Sequence, residues 1–239
     1  SIDGSAFYGA TSITAFGVRK ENPYFLALDG VLLDAEQSTL VCYPAGVTGD
    51  YVIPNGVTSI GWSAFYGCSG LTSVTIPESV MSIGHHAFRG CSCVSFTIPK
   101  SVTSIGNFFI GGCSNLLSVV VAEGNAKYDS RDNCNGIIET STNTLIAGCS
   151  HTTIPKTVTS IGEGAFNGIT KLTSFVIPNF VTSIGRSAFS DCTRLRSIEI
   201  PNTITTIQDY TFSNCYGLAS IDIPNSVTSI GSSAFSGCY

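Results

Sequence analysis

Apolar residues recur along this chain in short blocks that alternate, turn and begin again. In Leu71-Thr-Ser-Val74-Thr-Ile76, the apolar Leu71, Val74 and Ile76 fall on one side and Ser73 and Thr75 on the other, which predicts a short strand with one buried face. Pro77 follows, and a residue without an amide hydrogen ends a strand without leaving a ladder donor unpaired. Val80 and Ile83 then return to the core and Gly84 makes a turn. Ala87-Phe88 is expected to pack a short helical or 3₁₀ turn against the strand. The same Phe recurs as Phe7, Phe65, Phe88, Phe166, Phe189, Phe212 and Phe235, with Ile110 in its place once, which predicts a column of rings each stacked on the next.

Ile-Pro pairs mark the register, at Ile53-Pro54, Ile76-Pro77, Ile98-Pro99, Ile154-Pro155, Ile177-Pro178, Ile200-Pro201 and Ile223-Pro224. Placing Arg19 and Ala122 at the Pro position completes a series with steps of 35, 23, 22, 23, 33, 23, 23 and 23 residues. A period of 20 to 29 residues carrying this pattern belongs to the solenoid class. The expected fold is therefore an α/β repeat solenoid of about ten rungs, right-handed, with short parallel strands on a concave face and helical or 3₁₀ turns on a convex face. One long step followed by three short ones occurs twice, so a four-rung block over residues 19–121 and a second over 122–223 are expected to be duplicates within a single repeat domain, 1–239. The two long steps share Asn22-Pro23-Tyr24-Phe25 with Asn125 through Tyr128, and Thr39-Leu40-Val41 with Thr144-Leu145-Ile146, as related irregular rungs that each add a hairpin or loop. No signal-like basic and apolar stretch opens the chain, and both ends fall inside a repeat, so a longer chain is expected, continuing with a further long step.

Charge changes the picture of partners. The 11 basic and 16 acidic residues give a net charge of −5, with only 11% charged residues overall. No polybasic face is present to bind nucleic acid, and no apolar run approaches the roughly 20 residues of a membrane span. Thirteen of the 27 charged residues lie in residues 19–50 and 122–139, so the regular rungs are nearly uncharged and their polarity is hydroxylic. Of the ten cysteines, Cys68, Cys91, Cys113, Cys192, Cys215 and Cys238 share one repeat position, where Ala10 and Ile169 also stand. That substitution pattern describes a small buried hydrophobe, and in-line side chains on stacked rungs lack disulfide geometry. Cys93 falls at the Leu71 position and is core by the same logic. Cys42, Cys134 and Cys149 lie in the long steps, where a Cys134–Cys149 bridge is a second possibility.

The unit I-P-x-x-V-T-S-I-G-x-x-A-F-x-G-C-x-x-L-x-S-V closely resembles the BspA-like leucine-rich repeat, also called the Treponema pallidum type, over essentially the whole chain. The run from Tyr128 to Glu139 also looks like the irregular unit of such proteins from gut Bacteroidales. The resemblance implies a secreted or cell-surface bacterial protein, and some members are adhesins for extracellular matrix or for other bacteria. It brings no catalytic residues. Arg19 and Ala122 depart from the family Pro, and Cys93 from the family Leu.

Little in the sequence suggests chemistry. His85 and His86 are adjacent, His151 is remote, and Cys91-Ser92-Cys93 stands without the second pair that a zinc site requires. Glu199 and Asp222 occupy the same position in adjacent rungs, about 4.8 Å apart, but without the aromatic platform of a glycosidase. The loop from Asp129 through Asp132, Asn133 and Asn135 gathers oxygens as a calcium site would, although Arg131 sits among them and Asx turns need no metal. No enzyme, metal or cofactor is expected. The expected function is binding of an extracellular protein or glycoprotein through the concave positions Ser73, Thr75, Ser95, Thr97, Ser118, Ser174, Ser197, Glu199, Ser220 and Asp222, or through Tyr24, Phe25 and Tyr128 in the long steps. The alternative is a structural spacer holding a neighbouring domain away from the cell surface.

Overall fold

The computed structural model describes residues 2–239. The chain divides into two compact units, one running to Cys113 together with Val121–Ala126, the other holding Ser114–Val120 and Lys127–Tyr239. Each unit is a β-solenoid, and together they make about 8 turns at a spacing of about 23 residues.

In the first unit the Ser-Ile pair of each repeat forms a parallel ladder of its own. Thr39 pairs with Ser59, Ser59 with Ser82 and Ser82 with Ser104, while Leu40, Ile60, Ile83 and Ile105 keep the same register. Leu40, Ile60 and Ile83 are buried, and the Ser59 and Ser82 hydroxyls hydrogen-bond along the outside at 2.9 Å. The glycine that follows each pair lets successive turns approach. A Cβ on Gly84 would come 2.7 Å from the Trp62 nitrogen, and one on Gly106 2.3 Å from the His85 nitrogen. A second parallel pairing joins Gly49–Val52 to Leu71–Thr75, with Asp50 opposite Ser73 and Val52 opposite Thr75. Its burial alternates as expected, with Leu71 and Val74 inside and Thr72 and Thr75 outside.

The second unit repeats this plan. Thr144–Gly148 pairs with Ser160–Ile161, which pairs with Ser183–Ile184; Thr206–Ile207 pairs with Ser229–Ile230; and Ser174–Val176 lies parallel to Ser197–Glu199. Each long step adds antiparallel strands that feed the Ser-Ile ladder. Phe25–Leu28, Val31–Asp34 and Thr39–Cys42 form the first such meander, and Tyr128–Asp129, Gly136–Glu139 and Thr144–Gly148 the second. Both carry a register shift at the same place, between Leu32 and Leu33 and between Ile137 and Ile138.

The expected helical element of each rung is corrected. Among the described residues there is no α-helix, and the 3₁₀ segments are Gly4–Phe7 and Arg131–Asn133. In the other rungs, alternate amides of the G-x-x-A-F-x-G-C segment do two different jobs. Ala64, Tyr66 and Cys68 donate to the carbonyl three residues back, whereas Ser63, Phe65 and Gly67 donate to His85, Ala87 and Arg89 of the next turn. A helix would spend every amide within one rung, and stacking at strand spacing claims half of them. Two residues four apart turn through positive φ in the same segment, Ser63 (55°) and Gly67 (69°). The second of these positions is Gly in most turns, and Asp191 and Asn214 take it in two, residue types that tolerate the left-handed region.

The ring column holds within each unit but does not begin at Phe7. Phe65 stacks on Phe88 at 4.8 Å, and Phe166, Phe189, Phe212 and Phe235 follow one another at 5.0, 5.6 and 5.5 Å. The place before Phe65 belongs to Tyr43, stacked at 5.1 Å, and Phe7 meets Phe16 instead.

Candidate functional site

The strand-face positions are exposed where alternation puts them outside. Thr75, Ser95 and Thr97 in the first unit, and Ser174, Ser197, Glu199, Ser220 and Asp222 in the second, face solvent, with Ser73 and Ser118 half-buried. In the first unit, Ser73, Thr75, Ser95 and Thr97 line a shallow recess of about 370 Å³ with Glu78 at its edge. In the second, Glu199 and Asp222 share a recess of about 350 Å³ with Asn202. Both surfaces offer small hydroxyls and carboxylates over flat backbone. Val176, at 60% exposed, is the large apolar side chain on the second of these faces.

The long-step aromatics behave differently from expectation. Tyr24 is 72% exposed, but Tyr128 is only 3% exposed and is corrected as a contact residue, because its strand pairs with Gly136–Glu139 and turns its ring inward. Phe25 is half-buried and packs against Leu32, Val41 and Cys42. Alignment of the two long steps held the signal, since it sets Tyr128 opposite the half-buried Phe25 and Lys127 opposite the exposed Tyr24.

The Asp129 loop explains its own oxygens. The Arg131 guanidinium bonds both carboxylate oxygens of Asp129, the Asn143 side-chain oxygen at 3.0 Å and the Thr157 hydroxyl at 3.2 Å. Burial raises the Asp129 pKa, but the Arg131 hydrogen bonds and charge outweigh it and hold the carboxyl below its usual value. A cation is thus already present among these oxygens as part of the chain. Asp132, Asn133 and Asn135 turn through positive φ, as Asx residues do. No cluster of three or more His, Cys, Asp or Glu side chains suited to a metal occurs among the described residues.

All ten cysteines are free. The expected role as a small hydrophobe is incomplete, because the shared-position thiols from Cys91 onward also donate to the carbonyl of the Phe one turn back. Cys91 reaches the Phe65 oxygen at 3.1 Å, Cys113 that of Phe88 at 3.1 Å, Cys192 that of Phe166 at 3.1 Å and Cys215 that of Phe189 at 3.2 Å. Burial pushes the Cys113 and Cys215 thiols up to about 12. Cys134 and Cys149 are not bridged: their thiols turn to the carbonyls of Gly136 and Leu117. The exchange with Ala10 and Ile169 hid the donor role in the sequence.

A family model for the BspA type leucine-rich repeat region matches six copies over residues 47–141 and 136–239. The chain belongs to the BspA-type leucine-rich repeat family. Among solved structures, it is similar to a leucine-rich cell surface protein of Faecalibacterium prausnitzii, with 35% identity over 80% of this chain and a TM-score of 0.69. It is also similar to a leucine-rich repeat protein of Eubacterium ventriosum (28% identity, 99% of this chain, TM-score 0.56) and to the pneumococcal vaccine antigen PcpA (26% identity, 77% of this chain, TM-score 0.66). The chain covers 51%, 55% and 47% of those structures, about half the length of each. No curated protein matches it. In this BspA-type array no helix of the described residues is long and apolar enough to cross a membrane.

The residue types that dominate binding hot spots, Trp, Tyr and Arg, are nearly absent from the strand face. They gather on the G-x-x-A-F-x-G-C turn ladder of the first unit, at Tyr8, Trp62, Tyr66 and Arg89, with His85, His86 and Phe108 beside them. Alternation, which reads only the strand and its core, gives Trp62 and Tyr66 no role. Comparison of the copies position by position supplied the missing signal, because Ser serves at the same positions in Ser232, Ser233 and Ser236.

Proposed function

We propose that this chain is part of a non-enzymatic, cell-surface or secreted binding module that attaches a bacterium to host matrix, glycoprotein or other cells. The observation that carries the reading is membership of a BspA-type family whose 35% identical relative is described as a cell surface protein. The architecture supports it. Main-chain ladders hold the turns in register without help from the outward side chains, so an extended surface of Ser, Thr and occasional acids can face a partner along many turns. The twofold occurrence of the irregular meander supports a duplicated block over 19–121 and 122–223.

The test is direct binding by the immobilised chain to fibronectin, fibrinogen, mucin and intact bacterial cells, in calcium and in EDTA. Saturable binding unaffected by EDTA is expected, because Arg131 already occupies the loop oxygens. Silence across the panel would overturn this reading in favour of a spacer that presents a neighbouring domain, a role the uniformly small hydroxylic strand face would also serve.

A further inference from the structure

We propose that the aromatic strip of the first unit, centred on Trp62, is a glycan-contact site at which the indole face packs against the C–H face of a pyranose ring. The inference rests on reading the array as an extracellular binding module and names the surface and the ligand chemistry.

The strip is not required by the fold. In this repeat the turn ladder points Trp62 and then Tyr66 outward, with Ser63 buried between them. The first outward position is filled by Trp62, His85, Asn107, Glu163, Arg186, Asp209 and Ser232 in successive copies, so backbone stacking tolerates any side chain there. Solvation alone would be met by Ser, as it is in the copy from Gly231 to Cys238. The concentration of aromatic rings in the first unit therefore serves something other than the scaffold.

The geometry leaves the indole open to solvent. Trp62 is 53% exposed. On the side of the following turn its ring meets His85 at 5.5 Å and His86 at 6.5 Å, and His86 in turn stacks on Phe108 at 5.3 Å with the rings 16° apart. On the other side Asp3 stands in register with Trp62, because the Gly4 amide donates to the Trp62 carbonyl at 3.0 Å as the Ser63 amide does to that of His85, and its carboxylate is turned to the Ser5 amide and hydroxyl.

The surroundings are polar and directional. Asp3 and Ser5 flank Gly4, with the Asp3 carboxylate accepting the Ser5 amide at 2.8 Å. His85 Nδ1 accepts the Asn107 amide at 3.0 Å, which fixes the proton of the neutral ring on Nε2 as a donor. Tyr8 and Tyr66 lie 4.5 Å apart, and Arg89 hydrogen-bonds the Tyr66 hydroxyl.

A protein hot spot buries its aromatic in an apolar surround that excludes water. Trp62 instead has two imidazoles beside its ring and the Asp3 carboxylate on the turn before it, with the Arg89 guanidinium further along by His86 and Tyr66. A pyranose fits this arrangement: its axial C–H groups carry the positive charge that the negative π face attracts, and its equatorial hydroxyls both donate and accept in the ring plane.

Trp62 is the sole tryptophan, so the emission of the intact chain reads this site alone. Titration with N-acetyllactosamine, chitotriose and 3′-sialyllactose is expected to change that emission saturably for at least one sugar, with a Kd on the order of 1 mM or tighter. The variant Trp62→Ser takes the residue that Ser232 already supplies at this position, so it should keep the native circular dichroism and melting profile. It should weaken binding of the same sugar by about tenfold or more in calorimetry, while Trp62→Phe retains part of it.

Three outcomes overturn the site: no sugar alters Trp62 emission, W62S binds as tightly as the parent, or a proline-rich peptide perturbs the emission where sugars do not. Failure here is separable from failure of the module. Binding to the matrix and cell panel with Trp62 silent to sugars removes the glycan site and leaves the module, whereas a sugar response with a silent panel does the reverse.

Discussion

Replacing Phe88 by Ala tests whether the ring column is the spine of the first unit. Phe88 is fully buried, stacked on Phe65 at 4.8 Å and tilted against Phe96 at 4.9 Å. Returning the ring to water removes about 2 kcal/mol of transfer free energy. Main-chain ladders on either side restrict collapse, so a cavity on the order of 80 Å³ remains, and at about 24 cal/mol per Å³ this costs another 2 kcal/mol or so. The expected loss is therefore about 4 kcal/mol. Phe7, half-buried at the edge of the column with one edge-on partner, Phe16, should lose clearly less on the same change. Trp62 lies in the turn before Phe88, so urea unfolding followed by its emission reports the first unit directly. With a denaturant slope of about 2 kcal/mol per M, the midpoint of Phe88→Ala should fall by about 2 M. A loss below about 1 kcal/mol, or equal losses for Phe88→Ala and Phe7→Ala, would refute the reading of the column as a packed core. Phe88→Leu should recover much of the loss, because Ile110 fills the next place in the column without a ring.

Gly148→Ala should cost about 1–3 kcal/mol by overpacking, since its Cβ would lie 2.5 Å from the Phe166 ring in the second unit; thermal melts followed by circular dichroism check it, and an unchanged midpoint would contradict the packing. Burial first, then the charges of Arg89 and His85, hold the His86 pKa below the ordinary imidazole value of about 6.5. The neutral ring is thus favoured in the folded state, and stability should be full above 6.5 and decline as pH falls below it. Urea midpoints at pH 7.5 and 5.5 should differ in that direction, and His86→Phe, which keeps the stack on Phe108, should remove the difference. The thiols should be inert to a disulfide reagent at pH 8 in the native chain, with Cys238 the first to react, and all ten should titrate in urea. A native chain that shows eight reactive thiols after denaturation would reveal a disulfide instead.

The period, the strand face and the core were legible because each rests on side chains that repeat. Leu71, Val74 and Ile76 announce a strand by alternation, and Ile-Pro fixes where it stops. The turn segment was misread as helical because Ala87-Phe88 and its copies carry apolar residues at a spacing that suits one helical turn. What decides against helix is the backbone: half of the amides bond across turns, as Phe65 does to Ala87. The sequence did hold a trace of this, in the exchange of Gly67 and Gly90 for Asp191 and Asn214, which share tolerance of positive φ and little else. The Ser59-Ile60 ladder was only half visible, its Ile read as core and its Ser unassigned. Among the binding candidates, alternation located the Ser and Thr columns, but Tyr128 was lost to its pairing with Glu139, a partnership across an irregular loop that no local pattern records.

The same contrast between constant and variable positions separates scaffold from function. Where stacking dictates the residue, the copies largely agree: Gly84 and Gly106 admit no side chain without moving the previous turn, with Gln208 the exception at that position, and Phe88 or its equivalent fills the same slot. Where the copies disagree, the fold is indifferent and the residue answers to solvent or a partner. The first outward strand position is Ser in copy after copy, from Ser73 to Ser220, although nothing in its setting demands it, while the second varies among Thr75, Thr97, Val120, Val176, Glu199 and Asp222. The turn ladder varies more widely, aromatic with two histidines and an arginine in the first unit, and carrying Glu163, Arg186 and Asp209 in the second. A surface that discriminates between ligands needs side chains that differ from turn to turn, and of the two faces the turn ladder, with its aromatic rings, imidazoles and both signs of charge, supplies the wider range.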